Sequence, residues 1–289
     1  MGYPALEMPP LVDAHHHFWD ADTYRYPGLD RPGSCIPRHY LLDDLLADAA
    51  QWQLVKSVHL QGEIDREHTL RETEWLQEMA DTRGFPHAIV AYAPLQDPSV
   101  AAVLEHHARF ANVRGIRQIL NPDQCERADY LTDPQWQTGY AQLERLDMSF
   151  DLQLDPEQMP DAARLVERYP GIAVVINHTG MPRDHSAEGV ARWRDGLRLL
   201  AALPYVSIKI SGFGMFDAQW TTESIKPFVR DTLDIFGADR AMFASNFPVD
   251  RVWASWDKVF GAFDALTRDL TEAERTKLFS ANAERIYRI

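Results

Sequence analysis

The sequence predicts an α/β fold, a single (β/α)8 barrel that spans residues 1–289 and carries an extra helix at its C-terminal end. The first observation is that short apolar runs alternate with amphipathic segments, which is the pattern of parallel βαβ units. The second is that eight such units fit in 289 residues, and a closed barrel of this kind typically has about 250. The third is that the loops after strands are longer than the loops after helices. These extra residues would lie on the face where barrels carry their active sites.

The predicted strands are short runs rich in Val, Ile and Leu. No G-x-G-x-x-G motif follows the first of them, which argues against an open, doubly wound sheet with a dinucleotide site. In order along the chain, the eight strands are assigned to residues 11–17, 54–62, 87–93, 113–120, 148–154, 172–178, 206–212 and 241–247.

Between the strands, apolar residues recur at the helical period, which predicts one helix packed on the barrel after each strand. A final segment, residues 270–289, predicts a further helix or two against the side or bottom of the barrel. The eight main helices are assigned to residues 41–53, 69–82, 99–111, 133–146, 157–169, 191–203, 223–237 and 253–266, and the long loops after strands to residues 18–40, 121–133, 179–190 and 213–222.

Composition limits the partners and the compartment. The chain has 29 basic and 43 acidic residues, a formal charge of −14, which disfavours binding to nucleic acid or to an anionic membrane. Residues 1–10 lack the basic and apolar regions of a secretory signal, and no apolar run is long enough to span a membrane. Cys35 and Cys125 form no disulfide framework, so a cytoplasmic protein is expected. The expected partner is a small-molecule substrate. Trp253 and Trp256, read as exposed, leave room for a homodimer.

The first predicted strand ends in three consecutive histidines. Side chains alternate along a strand, so His15 and His17 point to one side and His16 to the other. Imidazole titrates near neutral pH and is the commonest metal ligand. A surface cluster would be the simplest alternative, but the triplet follows an apolar run that is typical of a buried strand. With His178 at the end of the sixth strand, this pair is placed to bind a divalent metal or to bond a substrate carbonyl.

Polar residues also end most of the other predicted strands. Burying so many polar groups is costly unless they serve one another or a ligand, so they are expected to converge on the barrel axis. Arginines on the fourth strand would bind a carboxylate, and Lys209 is expected to pair with Glu63 or Asp151. The candidate binding residues at these strand ends are Glu63, Arg114, Arg117, Asp151, Gln153 and Lys209, and the eighth strand ends in Asn246.

Six motifs together carry a resemblance to a known family: "DAHHH", "RGIRQIL", "FDLQL", "VINHTGMP", "IKISGFG" and "FASNFPVD". In this order they resemble the amidohydrolase superfamily. They resemble most closely its amidohydrolase-related barrels, which include 2-pyrone-4,6-dicarboxylate lactonase and the L-fucono- and L-rhamnono-lactonases. The resemblance runs from residue 11 to the end of the chain. It implies hydrolysis of a cyclic ester of a sugar acid or an aromatic-catabolic acid.

The resemblance also implies roles for individual residues. His15, His17 and His178 match the family's histidines and would hold a divalent metal. Zn²⁺ is the metal expected first, although some members of the family work without a metal. Arg117 and Arg114 match arginines that hold a substrate carboxylate. Trp19 and Tyr40 fall in the loop that covers the pocket.

Position 246 departs from the family pattern, because Asn246 stands where most members have an aspartate. An amide cannot accept a proton at neutral pH and is a poor metal ligand. One possibility is that another group acts as the base, and the candidates are Asp250, Asp13, Glu63 or a histidine. The other is that the site mainly orients the water and does not need to deprotonate it. The sequence therefore predicts a lactonase for a small anionic lactone. The alternatives are a metal-dependent decarboxylase of the same superfamily and a catalytically silent ligand-binding barrel.

Overall fold

The computed structural model describes residues 8–31 and 33–289. Residues 1–7, which belong to the segment tested for a signal sequence, lie outside the described residues, as does position 32 in the first long loop. All eight predicted strands are present, each within its predicted range. They are β1 (Leu11–His16), β2 (Leu54–Leu60), β3 (Ala88–Ala91), β4 (Val113–Arg117), β5 (Ser149–Leu152), β6 (Val174–Ile176), β7 (Val206–Ile210) and β8 (Ala241–Phe243).

The eight strands form one parallel sheet in the order in which they occur in the chain. The sheet closes between β1 and the segment that follows β8. The amide nitrogen of His17 donates to the carbonyl oxygen of Phe247 at 2.8 Å, and that of Asn246 donates to His15 at 2.9 Å. The predicted α/β barrel is confirmed.

The helices lie between the strands as predicted. Some begin earlier than their apolar period suggests, because a side chain upstream caps the first turn. Ser186, for example, accepts the amide hydrogen of Gly189 at 3.1 Å, so the sixth helix starts at Ala187. The helices are α1 (Leu42–Asp48), α2 (Thr69–Arg83), α3 (Val100–His107), α4 (Pro134–Arg145), α5 (Met159–Glu167), α6 (Ala187–Ala201), α7 (Thr222–Phe236), α8 (Trp256–Leu266), α9 (Glu272–Thr276) and α10 (Asn282–Tyr287).

The last helices close the bottom of the barrel, at the amino ends of the strands. A π-helical turn at Lys277–Ala281 joins α9 to α10. The side chain of Arg288, just after α10, donates to the carbonyl oxygen of Asp147, which immediately precedes β5. Tyr287 is fully buried and projects into the barrel. The predicted C-terminal addition is therefore present and lies at the bottom.

Inside the barrel, Tyr287 completes a buried ion pair. The Nζ atom of Lys209 lies 2.6 Å from Oδ1 of Asp151, and both side chains are fully buried. The hydroxyl of Tyr287 lies 3.0 Å from each oxygen of the same carboxylate, and its ring packs 5.0 Å from the lysine nitrogen. We call these three residues the floor cluster. Of the two partners predicted for Lys209, Asp151 is the one it contacts.

The first long loop folds back over the mouth of the barrel. Two short antiparallel strands, Trp19–Asp20 and His39–Tyr40, hold its ends together. Among the described residues, no helix is long and apolar enough to cross a membrane.

Candidate active site

The first two predicted histidines meet at the carboxyl end of β1. The Nε2 atoms of His15 and His17 lie 3.3 Å apart, and both side chains are buried. Nδ1 of His17 lies 2.9 Å from the carbonyl oxygen of Leu60. A carbonyl can only accept, so this nitrogen carries the hydrogen and leaves Nε2 of His17 as a lone pair that faces His15.

His178, at the end of β6, joins them from across the barrel. Its ring centroid lies 4.4 Å from that of His15, and its Nδ1 lies 3.2 Å from the hydroxyl of Ser211. Gly212 permits this packing: its φ is +81°, and a Cβ atom there would come within 2.8 Å of the His178 side chain. The three imidazoles lie together, as the sequence predicts.

All three imidazoles are neutral. Burial, reinforced by the charges of Arg117 and Lys209, lowers the pKa of His15 and of His178 well below its usual value. Burial, followed by the charge of Arg117, does the same to the pKa of His17. A neutral imidazole has one nitrogen lone pair, which can bind a metal or accept a hydrogen bond.

The spacing of the first pair matches two ligands of one divalent metal. Two nitrogens bound tetrahedrally to zinc at about 2.0–2.1 Å lie about 3.3–3.4 Å apart, close to the 3.3 Å between the two Nε2 atoms. Nδ1 of His15 is the other ring nitrogen and is buried without a described hydrogen-bond partner, so it adds nothing to this match. His15 and His17 therefore fit two positions of a metal site.

A complete set of metal ligands is not preformed around this pair. In the described part of the chain, groups of three ligand atoms within 4.8 Å of one another occur elsewhere, in Asp20, Asp22 and His39 and in Asp65, Glu67 and His68. Both groups are largely exposed, and neither includes the three imidazoles. Asn246 supplies an amide in place of the family's aspartate. Any metal would depend mainly on His15 and His17.

Asn246 lies next to His15, to whose carbonyl oxygen its backbone amide donates, and Asp250 lies beside Asn246. Asn246 adopts a left-handed backbone, with φ of 57°, and its buried Nδ2 atom has no hydrogen-bond partner among the described residues. The carboxyl group of Asp250 lies beside it, and its buried Oδ1 atom also lacks a described partner. Burial raises the pKa of Asp250 to about 8, against the opposing effects of Asn246 and the backbone of Gly212 and Gly214.

Asp13, one of the alternative bases, is held away from the cavity. Its carboxylate accepts the hydroxyl of Ser245 at 2.6 Å and the amide hydrogens of Ser245 and His15 at 2.9 and 3.2 Å. Burial raises its pKa to about 6. These hydrogen bonds join β1 to the segment after β8, so the role of Asp13 is structural.

Arg117 supplies a buried positive charge. Its guanidinium donates to the side-chain oxygen of Gln153 at 3.1 Å and to the carbonyl oxygen of Gln61 at 2.8 Å. Its Nε atom is buried without a described partner, and no described carboxylate lies within the 4.0 Å of an ion pair. The carboxylates of Glu63, Asp151 and Glu72 act on Arg117 only from a distance, so an anionic ligand in direct contact would stabilise this site.

These groups surround one cavity of about 270 Å³. We call it the inner cavity. His17, His178, Asn246 and Arg117 line it. Of the other predicted site residues, Trp19, Glu63 and Gln153 also line it, whereas Asp250 lies behind Asn246. The Trp19 ring stacks on His17 at 5.3 Å, and its indole nitrogen donates to Pro37.

Two predicted binding residues lie elsewhere. Arg114 points out of the barrel, where its guanidinium bonds to the carbonyl oxygens of Ala111, Val113 and Arg288. It lies an odd number of residues from Arg117, so the alternation of β4 places it on the other face. Tyr40 is fully buried and donates to Asp48 at 2.9 Å. Neither residue lines the inner cavity.

Asp151 and Lys209 also lie outside the inner cavity. Both belong to the floor cluster, where each neutralises the other. Two residues further along the strand, Gln153 reaches the inner cavity. Asp151 and Lys209 were predicted to bind substrate, and their position corrects this.

The sequence reasoning missed several residues that line the inner cavity. They lie on the loops after strands, where no periodicity marks an inward side chain. They include Arg31, Met181, Arg183, Met215 and Val249. Trp253, read as exposed, also lines the inner cavity, and Trp256 is buried against Phe247 and Phe260. The homodimer prediction thus loses the two residues on which it rested.

A family model described as Amidohydrolase matches residues 12–289. The chain belongs to the amidohydrolase family. It is 41% identical to an uncharacterized protein of Sinorhizobium fredii, over 96% of this chain and 98% of that protein. It is 31% identical to a Burkholderia multivorans protein named L-fucono-1,5-lactonase, over 96% of this chain and 95% of the relative.

A solved amidohydrolase structure from Burkholderia multivorans, described with bound zinc, matches with a TM-score of 0.85 and 29% identity. The match covers 97% of this chain and 99% of that one. These findings confirm the predicted membership of the amidohydrolase family and the resemblance to its lactonase branch.

Proposed function

We propose that this amidohydrolase is a lactonase that opens a small sugar-acid lactone carrying a carboxylate. The main support is the inner cavity itself, where the imidazoles of His17 and His178, with His15 behind them, share the wall with a buried arginine that no described carboxylate contacts. The name of the Burkholderia relative gives independent support for lactone chemistry.

Arg117 binds the substrate carboxylate. Its guanidinium group is held in position by hydrogen bonds to Gln153 and Gln61, so the side chain loses little conformational freedom when the substrate binds. The substrate replaces the missing counter-ion, and a bidentate pair also fixes the orientation of the ring.

The lactone carbonyl then lies beside the imidazoles of His15, His17 and His178. A divalent metal held by His15 and His17 would polarise the carbonyl oxygen. His178, anchored by Ser211 through Nδ1, has its other ring nitrogen available for the same carbonyl or for the water.

The attacking water lies beside Asn246 and Asp250. Nδ2 of Asn246 and Oδ1 of Asp250 make no well-aligned hydrogen bond to the described residues, and although the amide is close enough to lower the pKa of the carboxyl group, a water can bond to both atoms. The water oxygen bonds to the carbonyl carbon, and Asp250 takes its proton. The bond from that carbon to the ring oxygen then breaks, and the proton passes to the departing ring oxygen. A pKa of about 8 suits a group that both accepts and returns a proton near neutral pH.

The test compares two kinds of lactone that differ in one group. Aldonolactones lack a free carboxylate, whereas aldarolactones such as glucarolactone carry one. We expect hydrolysis, followed with a pH indicator, to favour the aldarolactones by about 30-fold or more in kcat/KM, given about 2–3 kcal/mol for bonds to a charged group. The lactonase proposal fails if a folded protein hydrolyses neither kind.

The roles of Asn246 and Asp250 are tested by substitution. If Asp250 is the base, kcat/KM increases with pH up to about 8, because its ionised form accepts the proton. Asp250→Asn should remove this dependence and most of the activity. Asn246→Asp should lower activity in a working enzyme, whereas a gain would indicate a silent barrel.

Two further measurements address the alternatives. Metal analysis of the protein and of His17→Ala shows whether this pair binds an ion. Release of carbon dioxide from hydroxybenzoates, without lactone hydrolysis, would favour the decarboxylase.

A further inference from the structure

A second, larger chamber adjoins the inner cavity. It has a volume of about 650 Å³ and shares a wall with the inner cavity that includes Gly28, Arg31, Gln61 and Gln124. We call it the outer chamber. None of the reacting groups proposed above lines it. The two cavities are therefore neighbours, and a ligand that extends past the shared residues would reach both.

The charges of the outer chamber nearly cancel. Among the described residues, its wall carries three arginines, Arg25, Arg31 and Arg66, against four acidic residues, Glu63, Asp65, Glu67 and Glu126. Arg25 is paired with Asp65 and Arg66 with Glu126, at 3.5 and 2.9 Å. A wall of this kind does not select a second anion.

The same wall is rich in planar hydrogen-bonding groups. Gln61 and Gln124 contribute amides, and Tyr92 and Tyr130 contribute rings with hydroxyl groups. The hydroxyl of Tyr92 is buried and has no hydrogen-bond partner among the described residues, which costs free energy until a ligand bonds to it. Burial raises the pKa of Tyr92 to about 12, so the hydroxyl keeps its hydrogen as a donor.

We infer that the outer chamber is a subsite for a neutral polyhydroxylated group attached to the lactone, such as a glycosyl unit. Arginine, carboxylate and amide groups in one wall bond to neighbouring hydroxyls as donors and acceptors. Tyrosine offers an apolar face together with a hydroxyl. This inference extends the proposed function: Arg117 binds the acid end, and the glycosyl unit occupies the outer chamber.

The deciding experiment measures binding and needs no turnover. Gluconate and cellobionate both carry a carboxylate for Arg117, and cellobionate adds a glucosyl unit. By calorimetry we expect cellobionate to bind about tenfold more tightly. Tyr92→Phe should lower that advantage about threefold to tenfold and leave gluconate unchanged, as expected for one hydrogen bond.

Two further variants separate this effect from a general structural one. Arg66→Met removes a second wall group and should also weaken cellobionate alone. Tyr169→Phe changes a tyrosine that does not line either cavity and should change neither affinity.

The outcomes distinguish the two proposals. Equal affinities for gluconate and cellobionate, or a Tyr92→Phe variant that keeps the full preference, overturn the subsite even if lactones are hydrolysed. Preferential binding of cellobionate without hydrolysis of any lactone supports the subsite and overturns the lactonase proposal.

Discussion

Two groups of polar side chains fill the interior of the barrel, the floor cluster around Asp151 and the residues around His15 at the opposite end. In the floor cluster, one carboxylate accepts from a lysine, a tyrosine hydroxyl and the amide of Asn177. At the mouth, His15, Arg117, Asn246 and Asp250 each keep a buried polar atom without a described partner. Both groups are equally hidden from solvent, so burial alone does not distinguish a structural cluster from a site. Contact with the inner cavity does, because Arg117 and Asn246 line it and no residue of the floor cluster does.

The largest expected effect breaks the floor cluster. Lys209→Met leaves the carboxylate of Asp151 buried without its cation, and such a loss typically costs about 3–5 kcal/mol. Chemical denaturation measures the free energy of unfolding. Lys226→Met, on the exposed surface of α7, is the matched control and should cost less than about 1 kcal/mol. A small loss in the free energy of unfolding for Lys209→Met would mean that water reaches the floor cluster and solvates the Asp151 carboxylate.

A slightly smaller effect concerns the loop that carries Gln61 and Glu63. Oε1 of Glu72 accepts the amide hydrogen of Gly62 at 2.8 Å, and burial raises the pKa of Glu72 from 4.5 to about 7. The folded protein therefore holds this proton more tightly than the unfolded chain. The resulting stabilisation is complete below pH 4.5 and is lost as pH rises to about 7.

Relative to Glu72→Gln, the free energy of unfolding of the wild type should fall by about 3 kcal/mol over this range. Denaturation of both proteins at several pH values measures the difference. Glu78→Gln, exposed on the same helix, should track the wild type throughout. A difference that does not vary with pH would show that Glu72 is ionised in the folded protein.

At the mouth, activity and stability should separate. Arg117→Met removes the proposed carboxylate anchor and should lower kcat/KM for glucarolactone by about 30- to 150-fold, or about 2–3 kcal/mol. The loss of stability should be smaller than in Lys209→Met, because no described carboxylate contacts Arg117 directly. Arg114→Met, on the outer face of the same strand, is the control and should keep full activity. Equal losses in both variants would argue against the anchor.

The smallest expected effect is at the edge of the floor cluster. Tyr287→Phe removes one donor from a carboxylate that keeps its lysine, and should cost about 1.5 kcal/mol in the free energy of unfolding. Because Tyr287 does not line the inner cavity, kcat/KM should stay within about twofold. A large loss of activity would instead indicate that the two groups are coupled through the barrel.

The sequence predicts the barrel well because its signals are local and repeated. Each strand is an apolar run and each helix an amphipathic one, and closure then follows from the number of units. The same regularity brings His15, His17 and His178 together. Side chains alternate between the two faces of a strand. Applied strictly to β4, this alternation would also have excluded Arg114 from the substrate-binding residues.

Depth within the barrel is harder to predict. Asp151 and Gln153 face the same side of one chain segment, yet one belongs to the floor cluster and the other lines the inner cavity. Their depth depends on the stagger of neighbouring strands, which composition does not encode. Loop residues such as Arg31 and Trp253 were missed because their positions depend on tertiary packing.

The two ends of the barrel sheet meet at His15, His17 and Asn246, whose backbone atoms take part in the hydrogen bonds that join β1 to the segment after β8. More than two hundred residues of chain separate the two sides of this seam. Ring closure and assembly of the reacting groups are consequently the same event in folding. An open or partly wound intermediate would hold most of the secondary structure but no working site, so recovery of enzyme activity should report the final step of refolding.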